Sequence, residues 1–331
     1  MAHRSQAAIP RPSVTNSLTF RITMLVIGLF LRMVSVAERT DNIVPFKSPH
    51  RSMIVVEVRV NGKGPYPFLF DTGATSSAVD PKLFSALHLP TARSVEVASW
   101  EATTDARRAL VESLSFGPVN SGRLSVLVQP LSEFKAIDPD VRGVLGADVL
   151  LCSNFLIDNR THHIQFDVDG TLLAQLSGDR IAMAPIRTRT GDLESRLISV
   201  PVQMDKNAEP LHMLLDTAAD MVVLQPSAGP QPTVPRGTKW ISDQNGKLSS
   251  ATTFHTRLSV GSEVFSTEVW VGDAGLKQIV IDGLLPTGGF SQLYIANHGS
   301  FVIFEPRRIA AKPGRVEKRL LVPASSLGST D

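Results

Sequence analysis

Two aspartates stand at equivalent places in the two halves of this sequence, each at the end of a run of apolar residues. The first opens Asp71-Thr72-Gly73 and the second opens Asp216-Thr217-Ala218. Two carboxyl groups held within hydrogen-bonding distance cannot both ionise, so one keeps its proton while the other can act as a base toward water. If the fold brings Asp71 and Asp216 together, the pair can activate a water molecule.

The neighbours of each aspartate have tasks of their own. Gly73 lets backbone N–H groups approach and hydrogen-bond an ionised carboxylate. Thr72 and Thr217 each supply a hydroxyl group. Ala218 stands where the first motif has glycine, and its Cβ would strain the loop if φ were positive. The alternative for the first motif is an ordinary turn. The alternative for the second is a degenerate copy, in which Asp216 only stabilises the pairing of the two halves.

The same order of segments surrounds the motif in each half of the chain. It consists of short β-rich runs separated by Gly, Pro, Asn and Asp, with little helical periodicity, which predicts an all-β protein. The landmarks that recur in the same order are β-rich runs at 54–60 and 198–204, at 124–128 and 267–271, glycine-containing apolar segments at 143–150 and 283–290, and final strand pairs at 155–166 and 293–304. This order indicates an internal duplication with a period of about 145 residues.

With these features, residues 54–306 resemble the pepsin and retropepsin clan of aspartic peptidases, and bacterial retropepsin-like domains in particular. The resemblance implies two β-barrel lobes related by a pseudo-two-fold axis, with a pepsin-like cleft between them. It implies that Asp71 and Asp216 are catalytic and that Thr72 and Thr217 interlock the two loops. Gly73 and Ala218 then support the loops, and Pro286 departs from the family pattern.

The resemblance also implies a β-hairpin flap in each lobe. Trp100 and Trp240 follow the two aspartates by 29 and 24 residues, each just ahead of a polar stretch with turn character. We predict that they close over a substrate and exclude water. The alternative is a tryptophan that is simply packed.

The chain divides into six parts. Arg4, Arg11 and Arg21 precede a short apolar stretch and small residues end at Ala37, so 1–37 is predicted to be a signal peptide. We expect an exported protein, periplasmic or extracellular, with an uncleaved N-terminal anchor as the alternative. An extension (38–53), lobe 1 (54–170), a link (171–196), lobe 2 (197–306) and a basic tail (307–331), predicted to be disordered, follow. Whether 38–53 is a removable propeptide stays open.

The composition and a few individual residues indicate which kinds of binding partner to expect. Among 331 residues, 43% are apolar and 19% charged, and the formal net charge is only +2. This balance predicts a globular protein without a nucleic-acid surface. The apolar stretch at 22–31 is shorter than the ~20 residues a stable membrane span needs. The single cysteine, Cys152, lies in an apolar run and is predicted to be buried. His162 and His163 have no third ligand at a useful spacing, so no metal site is predicted.

The predicted function is that of an aspartic endopeptidase, which needs no cofactor and takes a peptide or protein substrate. It would act as a monomer in which two lobes form an intramolecular pseudo-dimer. Two alternatives remain: an inactive bilobal protein that only binds peptides, and a homodimeric peptidase that pairs Asp71 with Asp71 of a second copy. The sequence does not identify the substrate's side chains.

Overall fold

The computed structural model describes residues 42–50, 52–98, 103–204, 209–228, 234–242, 248–272 and 278–308. These residues form mainly β-strands, which confirms the all-β class. The helices are short: Pro81–Ala86, Ser132–Ile137, Ala147–Leu150 and Thr171–Ala174, with 3₁₀ turns at Thr287–Gly289 and Asn297–Gly299. The predicted signal (1–37), Trp100 and most of the basic tail lie outside these ranges. Within the ranges, no helix is long and apolar enough to span a membrane.

The first half of the chain contributes twelve strands. In chain order they are β1 (Ile43–Pro45), β2 (Val55–Val60), β3 (Lys63–Phe70), β4 (Ala78–Val79), β5 (Thr91–Ala98), β6 (Thr103–Val111), β7 (Leu114–Phe116), β8 (Val119–Asn120), β9 (Leu124–Val128), β10 (Gly143–Leu145), β11 (Asn154–Asp158) and β12 (His163–Asp167). Nine of them form one sheet in the order β5-β6-β9-β4-β10-β3-β2-β7-β8.

The second half repeats this arrangement. Its strands are β13 (Leu176–Ser177), β14 (Ile181–Ala182), β15 (Ala184–Thr188), β16 (Leu193–Val202), β17 (Leu211–Asp216), β18 (Val222–Leu224), β19 (Pro235–Ser242), β20 (Leu248–Val260), β21 (Glu263–Val271), β22 (Ile279–Val280), β23 (Gly283–Pro286), β24 (Gln292–Ala296), β25 (Phe301–Phe304) and β26 (Arg307–Arg308). Its sheet runs β19-β20-β21-β18-β23-β17-β16-β15-β22, so the first seven positions match those of the first sheet one for one.

A third sheet joins the two halves. Its order is β1-β12-β11-β24-β25-β14, and at its centre β11 pairs antiparallel with β24, with Phe155 opposite Ile295 and Ile157 opposite Leu293. The flanking strands also correspond, since β1 precedes the first lobe as β14 precedes the second. The predicted extension (38–53) supplies β1. The predicted link (171–196) supplies β14 to this sheet and β15 to the second lobe's sheet, so it is built into both.

The core is continuous across the halves. From Val56 to Val60, buried and exposed side chains alternate, while Phe68–Phe70 is buried throughout. Phe70 contacts Phe116 and Phe155 edge-on, at centroid distances of 6.3 and 5.2 Å. One buried apolar cluster includes residues of both nine-stranded sheets and of the joining sheet.

One prediction about packing is wrong. Cys152 is exposed, because it comes just after the helix Ala147–Leu150 has ended, where the chain turns at the surface toward β11. The burial predicted from its apolar neighbours applies to Val149 and Leu150, which face the core.

Candidate active site

Each aspartate is delivered by a strand that ends at the seam between the lobes. In the first lobe β10 runs parallel to β3 with Leu145 opposite Phe70, and the N–H of Asp71 donates to the carbonyl of Leu145 at 3.0 Å. In the second lobe β23 runs parallel to β17, and Asp216 stands opposite Pro286. Since the two strand pairs are equivalent, both aspartates emerge at corresponding edges of their sheets.

The two threonines lock the loops together. The N–H of Thr72 donates to Oγ1 of Thr217 at 3.0 Å, and the N–H of Thr217 donates to Oγ1 of Thr72 at 3.2 Å. Each hydroxyl in turn donates across the seam, Thr72 to the carbonyl of Leu215 (2.8 Å) and Thr217 to that of Phe70 (2.5 Å). All four hydrogen bonds are buried. They fix the separation of the strands that carry the aspartates.

The carboxyl groups meet at this lock. Oδ1 of Asp71 accepts from the N–H groups of Gly73 (2.8 Å) and Ala74 (3.1 Å). Oδ1 of Asp216 accepts from the N–H of Ala218 at 2.7 Å. A Cβ at Gly73 would lie only 2.8 Å from Cγ and from Oδ2 of Asp216. The absence of a side chain at Gly73 therefore gives the second carboxyl its place beside the first loop.

Ala218 fits its loop without the predicted strain. It is not among the described residues with positive φ. Its methyl group packs against an apolar cluster of the first lobe that includes Met53 and Val55. Alanine therefore replaces glycine at this position without a backbone penalty and adds an apolar contact between the lobes.

Both aspartates hold protons more tightly than an exposed carboxyl does. Burial raises the pKa of Asp71 well above its ordinary value, the charge of Asp216 adds to the rise, and the N–H groups of Gly73 and Ala74 oppose it. Burial also raises the pKa of Asp216 to about 6, against the N–H groups of Ala218 and Ala219, and the charge of Asp220 adds to it. Two coupled carboxyl groups with raised pKa values can share one proton at mildly acidic pH.

Four polar residues, in two pairs, brace these loops. Ser77 is fully buried, and its N–H and hydroxyl both donate to the carboxylate of Asp148, at 2.9 and 2.6 Å. On the other loop, Nδ1 of His50 hydrogen-bonds to Oδ2 of Asp220 at 2.7 Å. No sequence pattern pairs Ser77 with a residue 71 positions away or His50 with one 170 positions away. The side chain of Asp220 is only 16% exposed.

The predicted flap residues are only partly described. Each lobe has a long hairpin, β5–β6 and β19–β20. Trp240 lies third from the end of β19 and is 67% exposed, so it is not a packed core residue. Its predicted counterpart, Trp100, lies outside the described residues. His162 and His163 occupy the turn before β12, and the described part of the chain has no group of three metal-binding side chains.

Comparisons with known proteins give one family match and similarity to solved structures. Residues 56–149, from β2 through the helix Ala147–Leu150, match the family model described as aspartyl protease. This match confirms the resemblance read from the sequence and spans the loop of Asp71, the hairpin β5–β6 and the segment of Gly143. Among solved structures, the chain is similar to a retropepsin-like aspartic protease from Rickettsia conorii, at 18% identity and a TM-score of 0.28, over 38% of this chain and 87% of that one. No curated protein matches the chain.

Proposed function

We propose that this chain, whose residues 56–149 match the aspartyl protease family, is an endopeptidase that uses Asp71 and Asp216 as one acid–base pair. The observation that carries the proposal is the reciprocal hydrogen bonding of Thr72 and Thr217, which sets two aspartate loops from different lobes against each other. A turn or a degenerate copy would not need this buried lock. The proposal assigns one active site to one chain.

The proposed reaction passes through a tetrahedral diol. Asp71, the more buried carboxyl, keeps the shared proton and donates a hydrogen bond to the carbonyl oxygen of the scissile peptide bond. The ionised Asp216 removes a proton from a water molecule while the oxygen of that water forms a bond to the carbonyl carbon. The proton from Asp71 passes to the carbonyl oxygen. When the C–N bond breaks, the carboxyls return a proton to the leaving nitrogen, and no covalent enzyme intermediate forms.

The substrate in this proposal is an extended peptide lying between the lobes. Main-chain groups of such a peptide can pair with strands of the hairpins while alternate side chains enter pockets on either side. The predicted signal in 1–37 supports export to the periplasm or the extracellular space, with an N-terminal membrane anchor as the alternative. The lock within one chain supports a monomer that acts as an intramolecular pseudo-dimer.

Cleavage of a peptide library by the purified full chain tests the proposal. Asp71→Asn and Asp216→Asn should each lower the rate at least about 10²-fold, because each removes one partner of the acid–base pair. Asp140→Asn, at an exposed position in the same lobe as Asp71, is the matched control and should cleave as the wild type does. Pepstatin should inhibit the active forms. Circular dichroism checks that each variant folds.

Two results would overturn parts of the proposal. If the wild type retains peptides without cleaving them, the protein is a peptide-binding protein and not an enzyme. If Asp216→Asn cleaves at the wild-type rate and the active species is a dimer by light scattering, Asp71 pairs with its counterpart in a second copy.

A further inference from the structure

The two catalytic loops are equivalent in position but are braced differently. In the strand register, Gly143 lies opposite Phe68 and Val79, while Gly283 lies opposite Met213 and Leu224. Counting outward from these pairs, Ser77 corresponds to Val222, and Asp148 corresponds to Gly288. The polar pair of the Asp71 loop is therefore replaced by valine and glycine in the Asp216 loop.

The first loop is braced from within its own lobe. The carboxylate of Asp148 accepts the N–H and hydroxyl of Ser77, and the hydroxyl of Ser77 accepts the N–H of Gly146 at 3.0 Å. This chain of bonds ties the end of the Asp71 loop to the segment that packs beneath it. Val222 and Gly288 have no side-chain polar groups, so the Asp216 loop cannot form the same brace.

A segment that precedes lobe 1 occupies the corresponding place against the second loop. A Cβ at Gly288 would lie 2.6 Å from Cα and 2.7 Å from Cβ of Ser52, so Ser52 sits directly on the glycine. Asp220, four residues after Asp216, hydrogen-bonds His50 through Oδ2 at 2.7 Å and lies 3.5 Å from the N–H of Ser52 through Oδ1. These contacts join the end of the Asp216 loop to residues 50–52.

His50 and Met53, on either side of this contact, are themselves hydrogen-bonded to each other. The N–H of Met53 donates to the carbonyl of His50 at 2.8 Å, which closes a turn. Before this turn, β1 pairs with β12 in the sheet that joins the lobes, and Val44 and Phe46 are buried in the common core. The described residues of segment 42–53 thus form a strut that runs from the joining sheet to the second catalytic loop.

The pseudo-symmetric counterpart of this strut supports the same interpretation. Val55 and Ser199 stand opposite Leu69 and Leu214, so Ser52 corresponds to Arg196 on β16. The guanidinium of Arg196 pairs with Glu194 at 3.0 Å. Burial raises the pKa of Asp148 in the first lobe, and the charge of Arg196 is one of the smaller influences that oppose the rise. Each lobe's leading segment therefore reaches the other lobe's loop, but only the second loop depends on it for its bracing contacts.

We propose that His50 and Ser52 are positioning residues for Asp216, and that segment 42–53 is a permanent part of the active site and not a removable propeptide. The inference rests on the proposed function. Two groups face Asp216, the carboxyl of Asp71 from the first loop and that of Asp220 from its own, and Asp220 faces the imidazole of His50. Loss of the strut would free Asp220 and displace Asp216 from Gly73.

Adjacent glycines provide a matched pair of variants to test this in the full chain. Gly288→Ala places a methyl group against the backbone of Ser52, whereas a Cβ at Gly289 meets nothing within 4 Å. Hydrogen exchange should be faster at the amides of 217–220 in Gly288→Ala and unchanged in Gly289→Ala. The kcat for a cleaved peptide should fall about 10-fold or more in Gly288→Ala with KM little changed, because a misplaced carboxyl weakens the reaction step more than peptide binding.

A second pair of variants covers the case in which Gly288→Ala does not fold. His50 is exposed, so His50→Ala should fold, speed exchange at the same amides and lower kcat. His50→Asn keeps a hydrogen-bond donor near the position of Nδ1. It should therefore return both the exchange rates and kcat most of the way to the wild-type values.

The exchange measurement separates this inference from the proposed function, since it needs no cleavage. A wild type that cleaves nothing overturns the function, and the exchange rates then decide the inference alone. If His50→Ala and a folded Gly288→Ala match Gly289→Ala in both exchange and kcat, residues 50–52 do not position the second aspartate.

Discussion

At the scale of single residues, the hydroxyl groups of Thr72 and Thr217 join the two aspartate loops through buried hydrogen bonds. The hydroxyl of Thr217 donates to the carbonyl of Phe70 and accepts from the N–H of Thr72. Thr217→Val keeps the shape but leaves both backbone groups buried without a partner, at about 1–3 kcal/mol each. We expect a loss of about 2–4 kcal/mol in the free energy of unfolding, measured by urea denaturation. Thr217→Ser keeps the hydroxyl and should lose less than half of this. An equal loss would show that the methyl group contributes as much as the hydroxyl.

The buried carboxyl pair should make the protein less stable as pH rises. The pKa of Asp71 is raised from its ordinary 3.8, so between that value and the raised one the folded state binds more protons than the unfolded state. Stability therefore falls as pH rises through this window. Asp71→Asn removes the part of this dependence that Asp71 contributes, while burial still raises the pKa of Asp216. The free energy of unfolding of the variant should therefore exceed that of the wild type at pH 7, with the difference closing near pH 4. A variant less stable than the wild type at pH 7 would contradict this.

Single residues also show how far the sequence alone could go. Asp71, Asp216 and the two threonines could be found because each motif directly follows an apolar strand and appears twice. The pairs Ser77–Asp148 and His50–Asp220 could not, since each is a side-chain contact between distant positions with no repeated pattern. The exposure of Cys152 was missed because apolar neighbours indicate burial only while the helix continues.

At the scale of elements, the repeat predicted most of the architecture. Turn residues and apolar runs marked β2, β3, β9 and β10 and their counterparts β16, β17, β21 and β23, together with the pairs β11–β12 and β24–β25, but not the outer strands β5 and β19. The strands in 171–196 were not recognised, because β14 and β15 are short and only Ile186 of their residues is fully buried. Pairing with neighbours, and not their own pattern, makes these residues strands.

The hairpin β19–β20 gives a prediction that belongs to an element. Trp240 is 67% exposed, so Trp240→Ala should leave the melting temperature unchanged. If the side chain contacts a bound peptide, its loss should raise KM about tenfold, which corresponds to ~1.4 kcal/mol of binding free energy. Val264→Ala, at a 59% exposed position on β21 of the same sheet, should alter neither quantity. An unchanged KM in Trp240→Ala would remove this residue from substrate binding.

At the scale of the whole molecule, the joining sheet makes the two lobes one folding unit. Phe155 is fully buried at its centre, opposite Ile295 of the second half, and contacts Phe70 beside the Asp71 loop. A core that runs through both lobes should unfold in one step, so calorimetry should give a single transition with equal calorimetric and van't Hoff enthalpies. Phe155→Ala should lower the free energy of unfolding by about 3–5 kcal/mol and shift the whole transition downward. A variant in which one lobe melts early while the other keeps the wild-type temperature would show that the lobes fold independently. Their pairing at Asp71 and Asp216 would then depend on the threonine lock alone.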